Sequence, residues 1–61
     1  MTLNAAIRSL PKWARGLAER AHSVGVLRDA VMQELEMHRE GNNPLTSNQV
    51  AALKSWLEAT K

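Results

Sequence analysis

The sequence predicts an all-α fold. It reads as two or three amphipathic helices: a helical hairpin or one long helix, then a short capped C-terminal helix, paired with a second copy as a dimeric bundle. Three observations predict the helices. Leu, Ala, Glu, Lys, Arg, Met and Gln, the strong helix formers, dominate the 61 residues. No run alternates Val, Ile, Thr or Tyr, and no Asn-Gly or Asp-Gly hairpin turn occurs. Apolar residues recur at helical spacing instead. Leu3, Leu10, Leu17, Val24 and Val31 lie seven apart, with His38 next in the column. Trp13 and Leu27 sit three residues after members of that column, and Ala14, Ala21 and Leu35 sit four after others. Arg20 and Glu34 interrupt what a strict coiled-coil seam would keep apolar.

The first helix is expected over residues 10–22, with a helical lead-in at 3–8. Pro11 lacks an N–H and breaks a helix interior, but with Ser9 as N-cap it falls in the tolerated first turn. The second helix is expected over residues 24–40, capped by Ser23. The seam keeps its phase through Ser23–Gly25, so one continuous rod is the alternative to a turn there; a single Gly costs a helix only about 1 kcal/mol. Gly41-Asn42-Asn43-Pro44 is a stop, and the turn is placed at 41–45. The last helix is expected over 47–60. Thr46 and Gln49 form a Thr-x-x-Gln capping box, Leu45 and Val50 occupy hydrophobic-staple positions, and Val50, Leu53, Trp56 and Leu57 make the apolar stripe.

Length bounds the function classes. The whole chain makes a single small domain, and so short a chain buries only about 60% of its unfolded surface. Such domains lean on disulfides, metals or oligomerisation. With no Cys, the first is excluded and thiolate metal sites with it, which leaves self-association. No stretch reaches the roughly 20 apolar residues that span a bilayer, and no apolar leader with a small-residue cleavage site is seen. A cytoplasmic location is therefore expected. Net charge is only +2 but unevenly spread. Residues 1–28 hold Arg8, Lys12, Arg15, Arg20 and Arg28 against Glu19; residues 29–61 hold Asp29, Glu34, Glu36, Glu40 and Glu58 against Arg39, Lys54 and Lys61.

The segment "LTSNQVAALKSWL" resembles the first helix of a helix-turn-helix: a capped start, then Val-Ala, then Leu. That motif needs a tight turn and a second helix for the major groove. Here Lys54-Ser55-Trp56-Leu57 continues the same helix and the sequence stops at Lys61, so the last helix reads as a packing strut. Arg8, Lys12, Arg15 and His22 fall on one side of the first helix and would grip phosphates or an anionic membrane, against the plainer reading of a solvated face. No aromatic is interleaved for base stacking. Asp29, Gln33, Glu36 and Glu40 form an acidic stripe on the second helix, able to orient a paired chain but worth little in stability.

The second helix carries a further apolar patch. Val26, Ala30 and Met37, with Met32 to one side, lie away from the Val24-Leu27-Val31-Leu35 seam. A helix apolar on two sides is central in a bundle or buried in an interface. The expected dimer or partner interface therefore combines Val26, Ala30, Met32 and Met37 with Trp13, Leu17, Val24, Leu27, Val31 and Leu35. Ala14, Ala18 and Ala21 would let helices approach closely. Glu34 and His38, one turn apart, lack the Glu-x-x-His spacing and the second pair of a bundle metal site, so no metal or other cofactor is expected. The two histidines stand sixteen residues apart, with no Gly-rich phosphate loop and no supported acid/base pair, so no enzyme is expected. The functional expectation is a small interaction protein that inhibits or recruits another protein, of the kind that phages and mobile elements use as accessory factors. The alternative is a dimeric DNA-binding regulator using Arg8, Lys12 and Arg15.

Overall fold

The structure, a computed structural model, describes residues 1–41 and 44–61. It is all-helical, with no strand among the described residues. Four helical segments follow in order: α1 (Leu3–Ser9), a 3₁₀ helix (Lys12–Ala18), α2 (Val24–Arg39) and α3 (Ser47–Ala59). The expected count of two or three is therefore short, and the discrepancy sits at Pro11.

The expected first helix over 10–22 does not form. The lead-in at 3–8 is a helix in its own right, started by Thr2, whose hydroxyl accepts from Ala5 N–H at 3.2 Å. It ends because Pro11 follows: the residue before a proline is pushed out of the α region, and Leu10 is extended at φ −68°, ψ 143°. Ser9 is not an N-cap. It closes α1, its hydroxyl donating back to the Ala6 carbonyl at 2.9 Å. Three carbonyls at this end find partners: Ala6 O accepts from Ser9 and Trp56, Ile7 O from Leu10 N–H, and Arg8 O from the Arg15 guanidinium.

Beyond Pro11 the chain winds with i→i+3 bonds, Ala14 N–H to Pro11 O at 2.9 Å and Glu19 N–H to Gly16 O at 3.3 Å. A 3₁₀ helix repeats every three residues. Pro11, Ala14 and Leu17 therefore share the inward edge; Ala14 is buried and the other two partly so. Lys12 and Arg15 share a second edge, and Trp13 and Gly16 a third, all exposed.

Ser23 caps α2, its Oγ accepting from Val26 N–H at 3.2 Å, so the chain turns before Val24 and Gly25 lies inside the helix. The continuous rod does not occur. Gly41 follows α2 at φ 84°, the left-handed conformation that ends helices and that glycine adopts without strain. The expected turn at 41–45 includes Asn42 and Asn43, which lie outside the described residues. α3 opens with both halves of the capping box: Gln49 N–H to Thr46 Oγ1 at 3.1 Å and Thr46 N–H to Gln49 Oε1 at 2.9 Å.

α2 packs on the 3₁₀ helix along one side and on α3 along the other. The core collects one or two residues from each segment: Ala6, Leu10, Ala14, Leu27, Val31, Leu53 and Trp56. The column Leu3, Leu10, Leu17, Val24 and Val31 is intact, but it does not run along one rod. Each short segment turns its member toward the same centre. Of the expected interface residues, Leu27 and Val31 are fully buried within the single chain.

Candidate functional site

Three positions apart or four, residues on α2 stand on one flank. Val26, Ala30 and Met37 fit that spacing, and Glu34 joins them, four after Ala30 and three before Met37. Met37 is exposed, while Val26 and Ala30 are partly buried without belonging to the side chains packed on the core. Met32 is exposed too, but it shares the other flank with Arg28 and Arg39. The structure thus separates Met32 from the patch it was grouped with. Leu17, Val24 and Leu35 are partly buried and packed against the core, so they serve the fold first.

Trp13 is the largest displacement from expectation. An α-helical reading puts it on the seam beside Leu10 and Leu17. The three-residue period of the 3₁₀ helix carries Ala14 inward in its place and leaves the indole 47% exposed. It stands at the rim of an open hollow of about 330 Å³ whose walls are Trp13, Ala14, Gly16, Leu17, Glu34, Leu45 and Gln49. Glu34 therefore belongs both to the Trp13 hollow and to the α2 flank. An exposed aromatic and a carboxylate thus line one hollow where α2 meets the 3₁₀ helix, and Met37 stands three residues on from that carboxylate along α2.

The opposite side of α2 holds a groove against α3, which the sequence reading did not anticipate. About 430 Å³ is lined by Leu35, Glu36, His38, Arg39, Val50 and Lys54, and an adjoining space by Leu45, Ser47 and Ala51 with His38, Val50 and Lys54. His38 Nδ1 accepts from Leu45 N–H at 3.0 Å, which ties the end of α2 to the entry of α3. An accepting nitrogen carries no proton, so the ring proton of His38 sits on Nε2. Glu34 and His38 are not brought into a metal set: among the described residues no three of His, Asp or Glu cluster to hold an ion.

Arg8, Lys12 and Arg15 are all exposed, on α1 and one edge of the 3₁₀ helix. Arg15 is partly committed to the fold, since its Nη2 donates to Arg8 O at 3.3 Å and closes the end of α1. No helix among the described residues is long and apolar enough to cross a membrane. Comparison of the chain with protein-family models, curated proteins and solved structures finds no match.

Proposed function

We propose that the chain is a small non-enzymatic interaction module that binds another protein and regulates it, by inhibition or recruitment. The observation that carries this reading is the exposed Trp13 at a hollow whose α2 wall is Glu34, a residue on the same helix flank as Val26, Ala30 and Met37. Tryptophan and methionine are enriched where proteins meet, and a solvent-facing Trp in so small a domain is costly to leave uncovered. Self-association is part of the same reading: with Leu27 and Val31 buried within one chain, the flank is the apolar surface of α2 left for a second copy. Cytoplasmic location and a phage or mobile-element origin remain part of the proposal on chain length and composition alone.

The test is capture from nuclease-treated lysate of the source cells, with the tagged full chain as bait. Val26→Glu and Met37→Glu are expected to lose a stoichiometric protein that the wild type and Met32→Glu retain, with unchanged helicity by circular dichroism. Retention by both flank variants overturns the reading. If only nucleic acid is retained before nuclease treatment, and Arg8→Ala with Arg15→Ala abolishes it, the basic edge is the site and the chain is a DNA-binding regulator. Analytical ultracentrifugation of wild type and Met37→Glu reads the homodimer.

A further inference from the structure

We propose that the hollow between Trp13 and Glu34 receives a guanidinium group, the side chain of an arginine on the protein partner. The inference rests on the interaction reading above and names the chemistry of the contact. Glu34 is partly buried and makes no hydrogen bond or ion pair to any described residue. Its neighbours one turn away on α2 are Ala30, Val31, Met37 and His38, with no Lys or Arg among them. His38 turns its Nδ1 to Leu45 N–H instead. A carboxylate partly withdrawn from water and left without a cation is an unfilled demand for one.

The rest of the hollow suits a flat cation. Glu34 is the single charged residue among its walls. The Gln49 carbonyl oxygen is already used, accepting from Thr46 N–H in the α3 cap. Trp13 is among the walls, and an indole attracts cations to its face through the ring quadrupole. Gly16 sits one 3₁₀ turn beyond Trp13 on the same edge, and a Cβ there would meet nothing within 4 Å, so the hollow is open over Gly16. The volume of about 330 Å³ is at the small end for a ligand pocket, the scale of one side chain. Guanidinium fits better than ammonium because its plane stacks on an aromatic face while its N–H fork meets a carboxylate.

The probe is ethylguanidinium chloride, titrated into the ¹⁵N-labelled full chain at constant ionic strength and followed by NMR, with N-ethylurea as the uncharged planar control. The expected result is a saturable shift of the Trp13 indole N–H and the Gly16 amide, with the Trp56 indole N–H unmoved. Half-saturation on the order of tens of millimolar is expected for one exposed cation–π contact and one surface ion pair. Glu34→Gln should weaken it roughly threefold to tenfold at unchanged helicity. Equal shifts with N-ethylurea, an unaffected Glu34→Gln, or no saturable shift at Trp13 overturns the proposal. Val26→Glu separates the two readings. It lies two turns from Glu34, so it is expected to lose the captured partner while titrating normally with ethylguanidinium. Normal titration with no partner ever captured overturns the interaction reading alone. Capture of a partner without guanidinium binding overturns the hollow alone.

Discussion

The Trp56 indole Nε1 donates to the Ala6 carbonyl at 3.0 Å, joining α3 to α1 across fifty positions of sequence. The same N–H reaches the Ser9 hydroxyl at 2.9 Å, and that hydroxyl donates to Ala6 O in turn. Three polar groups close on one another beside a ring that is almost wholly buried. A domain of this size is worth roughly 3–9 kcal/mol in all. Trp56→Ala removes about 3–5 kcal/mol and should leave the chain largely unfolded. Ser9→Ala leaves the direct Trp56–Ala6 bond intact and should cost about 1 kcal/mol or less. Trp56→Phe loses the N–H that donates to both acceptors and part of the ring, and should fall between them. Urea unfolding followed by circular dichroism orders the three; a Ser9→Ala cost matching Trp56→Phe would show that the hydroxyl, not the carbonyl, is the main acceptor.

The two tryptophans are predicted to report different environments. Trp56 is 4% exposed and Trp13 47%. Iodide should quench the Trp13 emission and spare the Trp56 emission, so Trp13→Phe is expected to remove the quenchable, red-shifted component and leave a blue-shifted one. Protection of both would place Trp13 inside the core, and equal quenching of both would take Trp56 out of it.

That contrast marks how far the sequence could be read. The apolar column from Leu3 to Val31 identifies inward residues correctly because each local segment is helical, whatever happens between segments. The caps at Ser23 and Thr46 are legible because their signals are local: a side-chain oxygen reaches an amide three residues on. Trp13 is misplaced because its position depends on the helix period, 3.0 against 3.6, and periodicity over so few residues does not separate the two. Leu27 and Val31 are legible as residues that need covering, but not as residues covered within one chain. A seam shows which residues need covering, not whether the cover comes from another chain or from the 3₁₀ helix and α3 of the same one. The Trp13–Glu34 hollow and the His38–Leu45 bond join separate segments, and no spacing rule along one helix shows either.

Gly25 and Gly41 should respond to alanine in opposite directions. Gly25 lies in the first turn of α2, and a Cβ there meets only Ser23 Oγ at 3.9 Å. Gly25→Ala is expected to stabilise by about 0.5–1 kcal/mol, chiefly by restricting the unfolded chain. Gly41 stands at φ 84°, where alanine is strained, and Gly41→Ala should destabilise by about 1 kcal/mol although its surroundings are open. Thermal midpoints moving apart in this way would verify the start and end of α2. Destabilisation by Gly25→Ala would mean that the turn at Ser23 extends into the helix.

The α3 capping box should behave as one unit. Thr46→Ala removes the acceptor for Gln49 N–H, and Gln49→Ala removes the acceptor for Thr46 N–H. Each should cost about 1 kcal/mol. Each also loosens the geometry that the other bond needs, so the double variant is expected to cost less than the two singles together. Full additivity in a double-mutant cycle would mean that the bonds form independently.

Arg28 poses the sharpest balance of opposing effects. Its Nη2 donates to Leu57 O at 3.3 Å near the end of α3, while its Nε is buried with no hydrogen-bond partner among the described residues. The first contact stabilises by about 1.5–3 kcal/mol as a charged hydrogen bond, shortened in value by its length; the orphaned Nε costs about 1–3 kcal/mol. Leu57 O also accepts from Thr60 Oγ1 at 3.4 Å, so it keeps a partner when Arg28 is lost. Arg28→Met retains the apolar stem and removes both the bond and the orphan. It should change stability by no more than about 1 kcal/mol. Arg28→Ala also strips the stem from between α2 and α3, and should destabilise clearly more. Urea midpoints decide it: a loss of about 2 kcal/mol or more in Arg28→Met would mean that the Leu57 bond outweighs the buried Nε, and that α3 is held to α2 by this one guanidinium.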